Sequence, residues 1–130
     1  ATDSELMFLL AVNYIVQGVA PIDAVGMMLG KVRLMMSEAG IAAPLRFAAA
    51  LADGESVYAF RYSSDERPPT LYLNRCDHGT IVASEPLQDR ANPCCPEWAA
   101  VAPNSAVIVQ GATIETRPLE VIEPALRQAA

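Results

Sequence analysis

At Pro44 the hydrophobic period of this chain changes, and no other feature restricts its fold as tightly. Before it, apolar residues recur at helical spacing: Leu6, Leu9, Leu10 and Val16, then Val25, Met28, Leu29, Val32, Met35 and Met36. After it, short alternating runs follow one another, punctuated by Gly, Pro and Asn. A period near 3.6 specifies helices and a period of two specifies half-buried strands. The chain therefore reads as two helices followed by about seven antiparallel strands, an α+β fold.

The first helix opens at Thr2-Asp3-Ser4-Glu5. Thr followed three places later by Glu has the form of a capping box: the hydroxyl accepts from the Glu5 N–H, and the Glu5 carboxylate reaches back. Asp3 then lies in the first turn, beside unsatisfied N–H groups and the positive end of the helix dipole. A carboxylate there stays ionised and can hold a ligand's ammonium group. The plainer reading is that Asp3 only favours the helix start. Met7, Phe8, Val12 and Ile15 fill most of the remaining helix surface, so this helix is expected to be packed on more than one side. Gly18 ends it, Pro21 suits the first turn of the second helix, and Gly40 closes that one. The methionines of the second helix read as a core or inter-helix stripe rather than a pliable groove.

The strands are placed at Leu45–Leu51, Val57–Tyr62, Leu71–Leu73, Thr80–Ser84, Trp98–Val101, Ala106–Gln110 and Ala112–Thr116. Asp53-Gly54 reads as a two-residue hairpin turn, and Asp77-His78-Gly79 as a second turn. Gln88 to Pro96 is irregular, and the tail after Pro118 is weakly patterned.

With 130 residues the prior is a single domain, residues 1–130, burying about two thirds of its unfolded surface. Hydrophobic residues make up 52% and charged residues 18%, which leaves a thin charged surface. The net charge of −6 and the lack of any Lys/Arg cluster exclude a nucleic-acid partner. The longest apolar run is far short of a membrane span, and no targeting segment is legible, so a cytoplasmic location is expected. Cys76, Cys94 and Cys95 are an odd number and do not suggest a disulfide framework. With Asp77 and His78 they could be drawn as metal ligands, but the spacing is unlike that of paired zinc cysteines, and free thiols with a turn histidine are the expectation. No metal and no cofactor are called for.

Self-contained catalytic motifs are missing. The chain has no P-loop, no G-x-G-x-x-G, no G-x-S-x-G and no helical His pair. His78 is its only histidine, which leaves Ser84 and Glu85 without support as a hydrolase couple. Thr2 as an N-terminal nucleophile conflicts with giving its hydroxyl to the helix.

The order of pieces resembles a known family. Thr2-Asp3-Ser4-Glu5 opens the first helix, and Tyr58-Ala59-Phe60-Arg61-Tyr62 lies on the hairpin. Thr70-Leu71-Tyr72-Leu73, Val82-Ala83-Ser84-Glu85-Pro86-Leu87 and Trp98 with Val101-Ala102-Pro103-Asn104-Ser105 follow. Together these are similar to the C-terminal half of class II glutamine amidotransferase domains, of the N-terminal-nucleophile hydrolase fold. The closest likeness is to small stand-alone members, including those of ergothioneine synthesis, and it runs from Thr2 to Pro118. The resemblance implies a four-layer sandwich that hydrolyses glutamine or another γ-glutamyl amide. In that family an N-terminal cysteine thiolate attacks the amide, its own α-amine acts as base, and an Asn-Gly pair supplies oxyanion donors. The aspartate of the T-D-[ST]-E segment, here Asp3, binds the substrate's α-ammonium. No role is implied for the Val82–Leu87 segment.

The chain departs from the family at Ala1, which stands where no nucleophile can act, and it contains no Asn-Gly dipeptide. The nucleophile-bearing half is expected before residue 1 or in a companion chain. The alternative is a non-catalytic assembly module built on the same half-fold. Either way the apolar composition implies a chain that is not solitary, pairing with itself as a homo-oligomer or binding a segment that supplies missing strands. Purified residues 1–130 should accordingly release no ammonia from glutamine. A coupled ammonia assay checks this, and turnover that survives replacement of all three cysteines would refute it.

Overall fold

Thr2 adopts an extended conformation and its hydroxyl accepts the Glu5 N–H at 3.2 Å, so the helix begins where the cap permits. In this computed structural model, residues 2–76, 79–86 and 97–124 are described. Helix α1 spans Asp3–Val16 and helix α2 spans Pro21–Glu38. The turn between them is set by Gly18, at φ +98°, and by the Val19 N–H donating to the Tyr14 carbonyl. Pro21 occupies the first turn of α2, where its missing N–H costs nothing. Gly40, at φ +70°, lets the Ile41 N–H return to the Met36 carbonyl and close the helix.

The described residues group into two compact units, one of residues 2–43 with 120–124 and one of the described residues between 44 and 119. In the first, α1 packs against α2. The expectation that α1 is packed on more than one side is not met: Ala11 is its buried residue, while Leu6, Phe8, Leu9 and Val16 are each at least half exposed. One helical neighbour covers one side of a helix, and the apolar residues on the rest of α1 have no described cover. Helix α2 buries Val25, Met28 and Leu29 as its spacing predicts, and Ala24 besides, but Met35, expected on the same stripe, stands exposed.

The buried face of α2 also carries Gly26 and Gly30, four residues apart, whose purpose the sequence did not announce. Residues 120–123 cross the helix there. The Ile122 N–H donates to the Gly26 carbonyl at 3.0 Å. A Cβ on Gly26 would collide with the Glu120 carbonyl oxygen, and one on Gly30 with that of Ile122. Residues 120–123 of the weakly patterned tail thus form a packed strap, which the helix accommodates by omitting two side chains.

The second unit holds all seven described strands: β1 Arg46–Ala52, β2 Val57–Ser63, β3 Tyr72–Cys76, β4 Gly79–Ala83, β5 Ala99–Ala100, β6 Ser105–Gln110 and β7 Thr113–Pro118. They form a four-stranded sheet in the order β1-β2-β6-β7 and a three-stranded sheet in the order β4-β3-β5, with every pairing antiparallel. Ala59 and Val107 from the larger sheet meet Leu71 and Val101, which flank the smaller one, in a single buried cluster. Leu73, Val82, Val109 and Ile114 pack around it.

The expected strands all exist, and their ends moved. Ala52 pairs with Val57, so the hairpin turn has four residues, 53–56, rather than two. The Asp53 carboxylate explains the extra length by accepting the N–H groups of Ser56 and Glu55 at 2.7 and 2.9 Å. These two bonds hold its carboxyl below the ordinary range, Ser56 contributing most. Strand β3 runs on past Leu73 because its ladder with β4 continues through Asn74–Ile81, Arg75–Thr80 and Cys76–Gly79. The side chain of Asn74, fully buried, donates to the Glu97 carbonyl, and that of Arg75 to the Ala112 carbonyl. The turn placed at Asp77-His78 and the irregular stretch from Gln88 to Pro96 lie outside the described residues.

Gly30→Ala tests the strap. Exchanging glycine for alanine inside a helix ordinarily stabilises by about 1 kcal/mol, yet here the methyl meets backbone, and overpacking costs about 1–3 kcal/mol. The variant should lose stability in urea unfolding and show faster amide exchange at Ile122. A gain in stability would mean the strap yields freely.

Candidate functional site: the start of helix α1

Asp3 is the first residue of α1 and is exposed. Thr2 supplies a hydroxyl to the Glu5 N–H and its carbonyl to the Leu6 N–H at 3.1 Å, which fixes the first turn. Two carboxylates, Asp3 and Glu5, stand in that turn. The arrangement leaves the Asp3 carboxylate open to solvent at the positive end of the helix, a position able to receive an ammonium group from outside. A carboxylate so placed can accept hydrogen bonds from a cationic group, and it equally favours the helix start.

The second unit contains four polar contacts that the sequence reading did not anticipate. Thr70 Oγ1 and Glu85 Oε1 lie 2.8 Å apart, joining the segments before β3 and after β4. The antiparallel register, Tyr72 opposite Ala83, brings them together, and pairing the two quoted segments on paper would have found it. Arg61, half-buried on β2, donates through Nε to the Pro69 carbonyl at 2.6 Å and through Nη1 to that of Val101 at 2.5 Å. Arg46 forms an ion pair with Asp65 at 2.6 Å, and Asp65 also accepts from the Ser63 hydroxyl and the Arg67 N–H. Asn104 sits at φ +53°, and its Oδ1 accepts the Ser63 N–H at 2.9 Å.

In the first unit a groove of about 300 Å³ lies between α2 and residues 121–124. Arg33, Ser37 and Glu123 line it beside Leu34 and Val121, so it offers both charges. Among the described residues no group of three or more His, Cys, Asp or Glu is placed to hold a metal ion. The segments weighed for four metal ligands lie elsewhere: Asp77, His78, Cys94 and Cys95, and the side chain of Cys76, are outside the described part. Ser84 and Glu85 follow β4, and Leu87 of that segment is not described. No described helix is long and apolar enough to cross a membrane.

No family model matches the chain, and no curated protein does. Solved structures do. A glutamine aminotransferase class-II domain protein from Silicibacter pomeroyi superposes with a TM-score of 0.82 over 94% of this chain, at 28% sequence identity. The fold is similar to that of a class II glutamine amidotransferase domain. The chain spans about half the length of that structure, 53% of it. The likeness read first from the order of pieces is thus matched by the arrangement of helices and strands.

The Arg46–Asp65 pair predicts an acid response. Arg46, then the Ser63 hydroxyl and the Arg67 N–H, hold the Asp65 carboxyl well below the usual carboxylate range. A group whose pKa is lowered on folding contributes stability that is present above its unfolded value, about 3.9, and lost as pH falls below it. Stability should thus be insensitive to Asp65 between pH 5 and 7 in thermal melts, falling below about pH 4. Asp65→Asn should flatten that acid limb. An unchanged acid limb in the variant would show that other carboxylates set it.

Proposed function

We propose that this chain is the substrate-holding portion of a class II glutamine amidotransferase, acting on glutamine or another γ-glutamyl amide. The observation that carries the reading is the superposition over nearly the whole chain at 28% identity, with the T-D-S-E segment at the start of a helix. On this reading the Asp3 carboxylate pairs with the α-ammonium of the substrate and so aims the γ-amide at the reacting atom. That atom is a cysteine thiolate at the N-terminus of a segment outside these residues. The thiolate adds to the amide carbon, ammonia leaves with a proton, and water releases the γ-carboxylate from the resulting thioester. Oxyanion donors come from the same outside segment, and these residues complete a four-layer sandwich with it.

The T-D-S-E and V-A-S-E-P-L segments further support placement beside the small stand-alone amidotransferases, the ergothioneine type among them. Three thiols in an odd set support a reducing, cytoplasmic location. No metal or cofactor enters the chemistry.

In the complete protein, Asp3→Asn should raise the KM for glutamine about ten- to a hundredfold, the cost of a lost charge-assisted pair of about 1.5–3 kcal/mol. Asn is as good a residue as Asp at a helix start, so the melting temperature should barely move. Steady-state kinetics with a thermal melt decides between the readings. A lowered melting temperature with unchanged KM would leave Asp3 as a helix-start residue only and favour an assembly module without catalysis.

A further inference from the structure

Strand β1 has the composition of an interior strand and the exposure of an edge. It is seven residues long and, after Arg46, reads Phe47-Ala48-Ala49-Ala50-Leu51-Ala52, apolar on both faces. Its one charge is already engaged by Asp65. Yet none of its residues is buried, whereas β2, flanked on both sides, buries Ala59, Phe60 and Tyr62. The other edge strands are guarded. Strand β7 carries Glu115 and Arg117 and ends in Pro118, β5 is two residues long, and β4 is five residues long and opens on Gly79 at φ +131°. Charge, proline and shortness are the usual means by which an edge is kept from pairing. Strand β1 has none of them, and among the described residues nothing pairs with its outer side.

The backbone says which groups point outward. The Ser64 N–H donates to the Leu45 carbonyl at 2.9 Å, and the Asp53 N–H donates to that of Ser56 at 3.2 Å. With the register Arg46–Ser63 to Ala52–Val57, odd-numbered residues of β1 therefore bond to β2. The N–H and C=O groups of Arg46, Ala48, Ala50 and Ala52 face away from it. We propose, on the reading that a nucleophile-bearing segment lies outside these residues, that one strand of that segment pairs with these outward groups and makes β1 an interior strand.

Two considerations choose this occupant over a second copy. The chain covers 53% of a structure that matches 94% of it, so that protein carries nearly as much chain again beside the shared part. A segment joined to these residues also reaches β1 at an effective concentration on the order of millimolar, which a second copy arriving by diffusion does not match. The register then describes the strand that docks. It must continue both faces of the sheet, since a slip of one residue would invert every side chain. On the face of Phe47, Ala49 and Leu51, which are only partly buried, it carries apolar residues at alternate positions and finishes their cover. On the other face it runs beside Ala48, Ala50 and Ala52, whose methyl groups leave room for large side chains.

Residue-resolved amide exchange on the complete protein, nucleophile segment included, tests the pairing. At an open edge the amides of Ala49 and Leu51, which donate to β2, exchange slowly, and those of Ala48 and Ala50 exchange fast. With the segment docked all four should be slow, in a protein whose sedimentation mass is that of one chain. Ala50→Pro removes an outward N–H and leaves those to β2 in place. The variant should lose the protection of Ala48, keep that of Ala49, and open the nucleophile segment to protease. Fast exchange at Ala48 and Ala50 in the wild-type protein would overturn the proposal, whatever the variant does. Protection that appears only as the sedimentation mass doubles would overturn it too, in favour of a second copy. An ammonia assay on the same sample separates the pairing from the chemistry. Ammonia release with an open β1 edge sinks the pairing alone, and a protected edge without ammonia release keeps the pairing and sinks the amidotransferase reading.

Discussion

The second unit depends on a guanidinium that pairs with no acid among the described residues. Arg61 spends its donors on two carbonyls, those of Pro69 and Val101. These residues lie just before β3 and just after β5, where the chain enters and leaves the smaller sheet. A charged donor strengthens a hydrogen bond to a neutral carbonyl, and a half-buried carbonyl left without a partner would cost about 1–3 kcal/mol. One side chain on the larger sheet thereby fixes both connections to the smaller one. The cluster of Ala59, Leu71, Val101 and Val107 closes around the same place, so apolar burial and the polar clamp act on the same few residues. Asn104 adds a second tie. Its side chain accepts from Ser63 and its carbonyl from Leu119, fixing the end of β2 and the exit of β7 to the turn before β6.

The first unit is held by the opposite device, omission. Where Arg61 spans a gap, Gly26 and Gly30 remove atoms so that the backbone of 120–123 can lie on the helix. Such contacts give a hydrogen bond from Ile122 and close packing of main chain on main chain, at the cost of helix propensity in α2.

Period and punctuation were enough to read both helices and all seven strands, because amphipathic patterning and Gly/Pro breaks act locally. The cap at Thr2 was equally legible, since its partner is three residues away. What the sequence hid was long-range. Asn74 and Arg75 look like loop residues until their partners Glu97 and Ala112 are known, more than twenty residues on. Gly26 and Gly30 look like weak points in a helix until a distant strap crosses them. Arg61 looks like an exposed strand residue beside Tyr62. The site was legible only as a possibility: spacing put Asp3 in a first turn, but its ligand came from likeness to a family, because a carboxylate at a helix start has the same form whether it caps or binds.

The larger sheet also has a history in time. Strand β2 pairs on one side with β1, its near neighbour, and on the other with β6, where Val57 meets Val109. The whole of the smaller sheet is made in between. A hairpin of β1 and β2 can form as soon as it leaves the ribosome, but the inner strand must wait for some forty further residues, on the order of several seconds of synthesis. During that wait a strand carrying Ala59, Phe60 and Tyr62, all buried in the finished protein, is an open edge itself. The topology therefore makes the inner strand well before its cover, an order of events that favours slow closure of the larger sheet over rapid local folding.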